Sequence, residues 1–102
     1  ESSELIKKRV EAARARQRER FKDLPCLTNS EMSSALVKRF CVLDTQSREL
    51  LEQAVRRLSL SPRGYFRIIK VARTIADLEG SEEIGIGHVA EALQYRQKLQ
   101  RT

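Results

Sequence analysis

The sequence is poor in the residues that build turns, metal sites and disulfide frameworks. Its 102 residues include no Trp, four Gly, two Pro, two Cys and one His. So few Gly and Pro argue against a sandwich or barrel of many short strands, which needs frequent turns. Two cysteines and one histidine cannot complete a four-ligand zinc site, and a single possible disulfide is no framework. We therefore expect Cys26 and Cys41 to be reduced, partly buried thiols, and we expect no metal site.

Long apolar runs are also missing. No stretch approaches the roughly 18 apolar residues of a membrane span, and the opening Glu1-Ser-Ser-Glu is too polar for a secretory signal. These absences predict a cytoplasmic protein with no membrane partner. The length suits one small domain over 1–102, and its beginning looks like a cut inside a longer protein.

Helical periodicity accounts for most of the chain. Short connections between amphipathic helices favour neighbouring, roughly antiparallel packing, so we predict an all-α fold, a small bundle of about five helices. The predicted segments are Ser2 to Arg20, Glu31 to Phe40, a third capped by Asp44 or Thr45, a fourth between Ser61 and Gly80, and a fifth beginning near His88.

The fourth segment carries the clearest helix signals. Ser61 can cap its first amides, Pro62 suits its first position, and Gly80 suits a left-handed cap at its end. At 100° per residue the apolar residues cover a broad arc. That arc contains Tyr65, Ile68, Ile69, Val71, Ala72, Ile75, Ala76 and Leu78. The opposite side is predicted to carry Arg63, Arg67, Lys70, Thr74 and Asp77.

Arg63 stands out because the first turn of a helix disfavours a cation, by about 0.3–1 kcal/mol. A residue placed against a local preference is a candidate for function. Free amides at the helix start, together with a guanidinium, would form an anion site. The alternative is a surface arginine that tolerates the small penalty.

The formal net charge of +6 favours a polyanionic partner, whether nucleic acid, nucleotide phosphates or an acidic protein, without choosing among them. The first segment is densely basic, and its candidate nucleic-acid or interface residues are Arg9, Arg14, Arg16 and Arg20. No aromatics interleave with these charges, so any nucleic-acid contact would be to the phosphate backbone and salt-dependent. The alternative is an ordinary solvated face.

Motifs for several enzyme classes are absent. There is no G-x-x-x-x-G-K-[ST] phosphate loop and no Ser-His-Asp set around the lone His88, which we interpret as an ordinary residue at a helix start. The acidic cluster of Asp77, Glu79, Glu82 and Glu83 is better explained by a solvated turn than by a metal site.

Three stretches resemble the C-terminal part of the magnesium-chelatase-like AAA+ ATPases, most of all the ComM/YifB family of competence proteins. They are Leu60-Ser-Pro-Arg-Gly-Tyr, Val71-Ala-Arg-Thr-Ile-Ala-Asp-Leu-Glu-Gly80, and Ile84 with His88-Val-Ala-Glu-Ala-Leu-Gln-Tyr-Arg96. The opening Glu1-Ser-Ser-Glu and Arg9-Val also resemble the start of that region. The likeness is strong over the second half of the chain, fair at the start and weak through the middle.

This resemblance implies a helical lid cut away from its ATPase core. Arg63 matches the arginine called sensor 2, which contacts the terminal phosphates of ATP. The resemblance makes Arg63 the catalytic residue. The predicted cofactor-binding residues are Arg63 and Arg67. Arg73 is expected to be a structural or interface arginine. The core would hold ATP and Mg²⁺, so the lid alone is expected to hold no cofactor and to be inactive.

The partners implied are the chain's own AAA+ core, neighbouring subunits in a homo-oligomeric ring such as a hexamer, and DNA during branch migration in natural transformation. Two other functions stay open. One is a stand-alone basic helical module that binds nucleic-acid backbone. The other is an oligomerisation scaffold that associates through the first helix.

Overall fold

The computed structural model describes the backbone of residues 2–101 and the side chains of residues 2–96. Over that range the chain is an all-α bundle, as the sequence predicts, and one isolated parallel bridge joins Leu43 to Ile84. The elements are α1 Ser3–Arg20, a 3₁₀ turn Asn29–Glu31, α2 Ser34–Phe40, α3 Thr45–Leu58, α4 Pro62–Glu79 and α5 Ile86–Arg101. No described helix has the length and apolar character needed to cross a membrane.

Side-chain caps define where the helices begin. The serine or aspartate before each of the first four helices accepts a hydrogen bond from an amide in the first turn, which satisfies a donor that the helix itself leaves open. These caps are Ser2, Ser33, Asp44 and Ser61. At the other end of α4, Gly80 adopts φ 76°, the left-handed conformation that glycine takes without strain.

The second predicted helix is divided in the structure. The sequence predicted one helix over Glu31 to Phe40, and this is wrong, because the chain forms a 3₁₀ turn, passes through extended Met32, and begins α2 at Ser34. Two caps cause the break. Thr28 and Glu31 form a reciprocal capping box around the 3₁₀ turn, and the Ser33 hydroxyl accepts the amide of Leu36.

Helix α4 lies at the centre of the bundle and packs against α1, α2, α5 and the 3₁₀ turn, while α3 packs on α5. Burial of aliphatic side chains between these helices is the main stabilising term. The core includes Met32, Val37, Leu43, Leu51, Ile68, Ile69, Ala72, Ile84, Val89 and Ala92.

Helix α1 is anchored mainly at its C-terminal end. Ala13 is buried, and Phe21, which caps the helix, is buried in the core cluster. Near the start, Leu5 and Ile6 are about half exposed, at 51% and 49%. The later turns of α1 are therefore buried against the bundle, while its first turn stays largely exposed.

Candidate functional site

Arg63 occupies the second position of α4 and its side chain is exposed. The helix start offers fewer open amides than the sequence suggested. Pro62 has no N–H, the Gly64 amide donates to Ser61 Oγ at 3.1 Å, and the Tyr65 amide donates to the Ser61 carbonyl at 2.9 Å. An anion at this end would therefore meet the Arg63 guanidinium and few open amides of the helix N-terminus.

Arg63 begins a line of cations along α4, which we call the cationic row: Arg63, Arg67 and Lys70. Spacings of four and three residues place them on one face of the helix. Arg67 is exposed like Arg63, whereas Lys70 Nζ donates to the Ser30 carbonyl at 3.2 Å. The structure thus brings the two predicted cofactor-binding residues together, one turn apart.

The cationic row forms one wall of a groove of about 840 Å³, which we call the α4 groove. The rest of its lining is largely apolar, with the carboxylate of Glu91 on α5 and the hydroxyl groups of Ser30, Ser34 and Thr74. The apolar lining consists of Phe66, Val71, Ile75 and Leu78 from α4 and Tyr95 from α5. A channel with cations on one side and aliphatic surface beneath is suited to a ligand that is both anionic and apolar.

The basic residues of α1 divide into two groups. Arg9, Arg14 and Arg16 are exposed, as a backbone-binding surface requires. Arg20 is drawn inward, and its side chain is 13% exposed. The structure does not place Arg20 on the same open surface as the other three arginines.

Arg20 instead pairs with Asp77, whose side chain is fully buried. Its Nη2 donates to Asp77 Oδ1 at 2.6 Å and its Nη1 donates to Oδ2 at 2.9 Å. Arg73 Nη2 lies 3.1 Å from Oδ1, and Asn29 Nδ2 donates to Oδ2 at 2.9 Å. We call these four residues the Asp77 cluster. The sequence prediction that Asp77 lies on the polar side of α4, in a solvated turn, is wrong.

Arg73 is a structural residue of this cluster. It is 3% exposed, and its Nη1 and Nη2 donate to the carbonyls of Glu82 and Ser81 at 2.9 and 2.7 Å. These bonds fix the turn between α4 and α5. Arg73 was expected to be either a structural or an interface arginine, and this geometry matches the structural role.

His88 and Glu79 join the same turn from its outer side. The Gly85 amide donates to His88 Nδ1 at 2.9 Å, which leaves the ring proton on Nε2, 3.0 Å from Glu79 Oε1. His88 thus caps the start of α5, in keeping with its interpretation as an ordinary residue at a helix start.

Cys26 and Cys41 are buried free thiols. Burial raises the pKa of both, and that of Cys41 reaches about 11. In the described part of the chain, no group of three or more His, Cys, Asp or Glu side chains could hold a metal ion.

The pKa of Asp77 results from opposing effects. Burial raises the pKa, but hydrogen bonds from Arg20 and Asn29 and the charges of Arg20 and Arg73 outweigh it. The net result is a pKa below the usual value. A carboxyl group whose pKa is lowered by folding stabilises the folded state above its unfolded pKa, and that contribution is lost as the pH falls.

We therefore expect the free energy of unfolding to decrease as the pH falls below about 4, the ordinary pKa of an aspartate. Asp77→Asn, which cannot ionise, should show a shallower decrease over the same range. Urea titrations at several pH values between about 2 and 6 would measure both slopes. Equal slopes for the two proteins would show that other carboxylates set the acid sensitivity.

Comparison with known proteins extends over nearly the whole chain. Residues 1–96 match the family described as magnesium chelatase, subunit ChlI C-terminal. The chain is 42% identical over 96 residues to YifB of Salmonella typhimurium, described as uncharacterized, covering 94% of the chain and 18% of that protein. It is 41% identical over 96 residues to the competence protein ComM of Haemophilus influenzae, with the same shares.

An uncharacterized protein of Mycobacterium tuberculosis is 36% identical over 97 residues, covering 95% of the chain and 19% of that protein. The chain thus spans about a fifth of the length of the curated relatives it matches.

Proposed function

The chain belongs to the magnesium chelatase subunit ChlI C-terminal family, a C-terminal domain of magnesium-chelatase-like AAA+ proteins, and from this membership we propose that it acts as the lid of an ATPase. In this proposal the lid closes over ATP and Mg²⁺ bound by the core of the longer protein. Closure couples hydrolysis to movement, since the lid responds to the presence of the γ-phosphate.

The exposed Arg63 guanidinium at the capped start of α4 is the observation that carries this proposal. It heads the cationic row at one end of the α4 groove, so a phosphate chain can approach it from solvent. Arg63 is the sensor that stabilises charge on the transferring phosphoryl group, and Arg67, one turn later, adds positive potential. Ser61 and the buried Ile68 and Ile69 hold this end of α4 in place.

The longer protein is proposed to work in the cytoplasm as a homo-oligomeric ring, such as a hexamer, that remodels DNA. One relative is named a competence protein, and the resemblance to that family supports branch migration during natural transformation as the DNA reaction. The lid contributes Arg63 and movement, while its contacts with the core and with neighbouring subunits transmit that movement.

Arg63→Ala in the full-length protein is expected to lower kcat for ATP hydrolysis about 100-fold, because a charge-stabilising donor to the transition state is lost. Arg57→Ala, which removes an exposed arginine from the end of α3, is the matched control and should stay within about twofold of wild type. Steady-state ATPase assays would measure both. Circular dichroism and gel filtration would confirm folding and assembly, and unchanged turnover of Arg63→Ala would overturn the proposal.

A second function is favoured by the exposure of Arg9, Arg14 and Arg16 on helix α1, whose first turn is largely exposed. These residues could bind nucleic-acid backbone without an ATPase core. This second function would be favoured if the chain alone bound duplex DNA with an affinity that falls steeply as salt rises. The double variant Arg14→Ala, Arg16→Ala should then lose that binding. Binding only by the assembled full-length protein would favour the lid.

A further inference from the structure

A second row of side chains runs along α4 beside the cationic row. We call it the apolar row: Val71, Ile75 and Leu78, spaced by four and three residues. At 100° per residue its centre lies about 80° around the helix from that of the cationic row. Val71 and Ile75 are half-buried and Leu78 is 37% exposed. The two rows together make a surface with apolar and cationic halves.

Helix α5 forms the opposite wall. Tyr95 is 54% exposed and stands one turn from Glu91, the carboxylate of the α4 groove. A second depression, of about 800 Å³, shares Ile75, Leu78 and Glu91 and extends the apolar surface to Leu5 of α1. Apolar side chains therefore continue beyond the end of the cationic row, among charged residues that include Lys8, Arg9 and Glu79.

The size and lining of the groove define its occupant. From Arg63 to Leu78, α4 rises about 22 Å, the length of roughly four helical turns. The aliphatic floor of Val71, Ile75 and Leu78 suits interdigitation with the side chains of another helix. Stacked nucleic-acid bases would instead require successive exposed aromatic rings.

The charges define the occupant further. Three cations line one wall and one carboxylate lines the other, so a bound helix would be complementary with carboxylates on one flank and an apolar seam between the walls. Of Arg67 and Lys70, Arg67 is the better placed for such a carboxylate, because it is exposed, whereas Lys70 already donates to the Ser30 carbonyl.

We propose that the α4 groove docks an acidic amphipathic helix of a protein partner. Its carboxylates lie against Arg67 and Lys70, and its apolar seam lies on Val71, Ile75 and Leu78. The inference rests on the groove and its charges and does not require that Arg63 contact ATP. Arg63, at the end of the groove, remains available for phosphate when the helix is bound.

The probe is a fluorescein-labelled, 15-residue helical peptide with Leu along one seam and Glu along one flank. A matched peptide carries Lys in place of each Glu. Fluorescence anisotropy with the wild-type chain, without nucleotide, should give a Kd at least tenfold lower for the Glu peptide. Arg67→Glu should reduce that preference at least fivefold, and Leu78→Ser should raise the Kd of the Glu peptide about tenfold.

Arg57→Glu is the control, because it makes the same change of charge at an exposed site on α3, outside the groove lining. It should leave the preference unchanged, and circular dichroism should show every variant folded. Equal binding of both peptides, equal effects of Arg57→Glu and Arg67→Glu, or no binding at about 1 mM would overturn the proposal. Stronger binding of a 12-nucleotide oligothymidylate that displaces the Glu peptide would do so too, by indicating a nucleic-acid groove. None of these results bears on turnover by the Arg63 variant.

Discussion

Asp77→Ala is expected to lower the free energy of unfolding by about 3–5 kcal/mol, the cost of removing one partner from a buried ion pair. The carboxylate accepts from Arg20 and Asn29 and lies 3.1 Å from Arg73 Nη2. Without it, two guanidinium groups are left close together in the interior with no counter-charge. Burial of Arg73 is already unfavourable at one atom, since its buried Nε has no hydrogen-bond partner.

Urea unfolding followed by circular dichroism would measure this loss. Asp77→Asn keeps the shape and one acceptor oxygen, so its loss should be smaller than that of the alanine variant. Glu82→Ala removes an exposed carboxylate from the same region and should change stability by less than about 0.5 kcal/mol. A loss below about 1 kcal/mol for Asp77→Ala would mean that water solvates both arginines in the variant.

The Asp77 cluster explains how the candidate site is held. Arg20 brings the end of α1 onto α4, and Asn29 brings the 3₁₀ turn to the same carboxylate. Arg73 fixes the α4–α5 turn through the Ser81 and Glu82 carbonyls. The C-terminal half of α4 is therefore joined to three other segments, and the same helix carries the cationic row in its N-terminal half.

Local signals predicted the ends of α4 from the sequence. Ser61, Pro62 and Gly80 act within one turn of their own positions, so the residues alone contain the information. The same kind of signal marked the break before α2, since Thr28 and Glu31 form a capping box and Ser33 caps the following helix. These two caps were not predicted, because the apolar residues from Met32 to Phe40 fit a single helical period across the break.

The buried face of α4 was less predictable. Periodicity assigns charged residues to solvent, so Asp77 was placed on the polar side of α4, and Leu78 was placed in the apolar arc. In the structure Asp77 and Arg73 are buried, and Leu78 is at the rim of the groove. Burial of Asp77 depends on Arg20, 57 residues earlier, and local spacing carries no information about that pairing.

Only part of the candidate site could be predicted from the sequence. The placement of Arg63 and Arg67 on one exposed face follows from their four-residue spacing. The groove beside them could not be derived from α4, because Tyr95 and Glu91 come from α5 and their approach depends on how the two helices pack. The sequence did indicate that the helix start has fewer open amides, because Pro62 has no N–H to donate to an anion.

Phe21→Ala is the other substitution expected to have a large effect, a loss of about 3–5 kcal/mol in the free energy of unfolding. The ring is 3% exposed and meets Phe40 edge-on, with centroids 5.7 Å apart. Its removal leaves a cavity at the point where α1 is anchored. Phe21→Leu, which retains most of the volume, should cost less than about 1.5 kcal/mol, and Leu5→Ala at the exposed start of α1 less than about 0.5 kcal/mol.

The aromatic anchor and the ionic anchor of α1 are adjacent, so their energies should be coupled. The Arg20 guanidinium carbon lies 5.8 Å from the centre of the Phe21 ring while its nitrogens bond to Asp77. A double-mutant cycle with the milder substitutions Phe21→Leu and Asp77→Asn keeps the domain folded. The double variant should lose less than the sum of the single losses, by about 0.5–1.5 kcal/mol, because either change already loosens Arg20. Additive losses would show that the ring and the ion pair hold α1 independently, and α1 would then remain partly docked when either one fails.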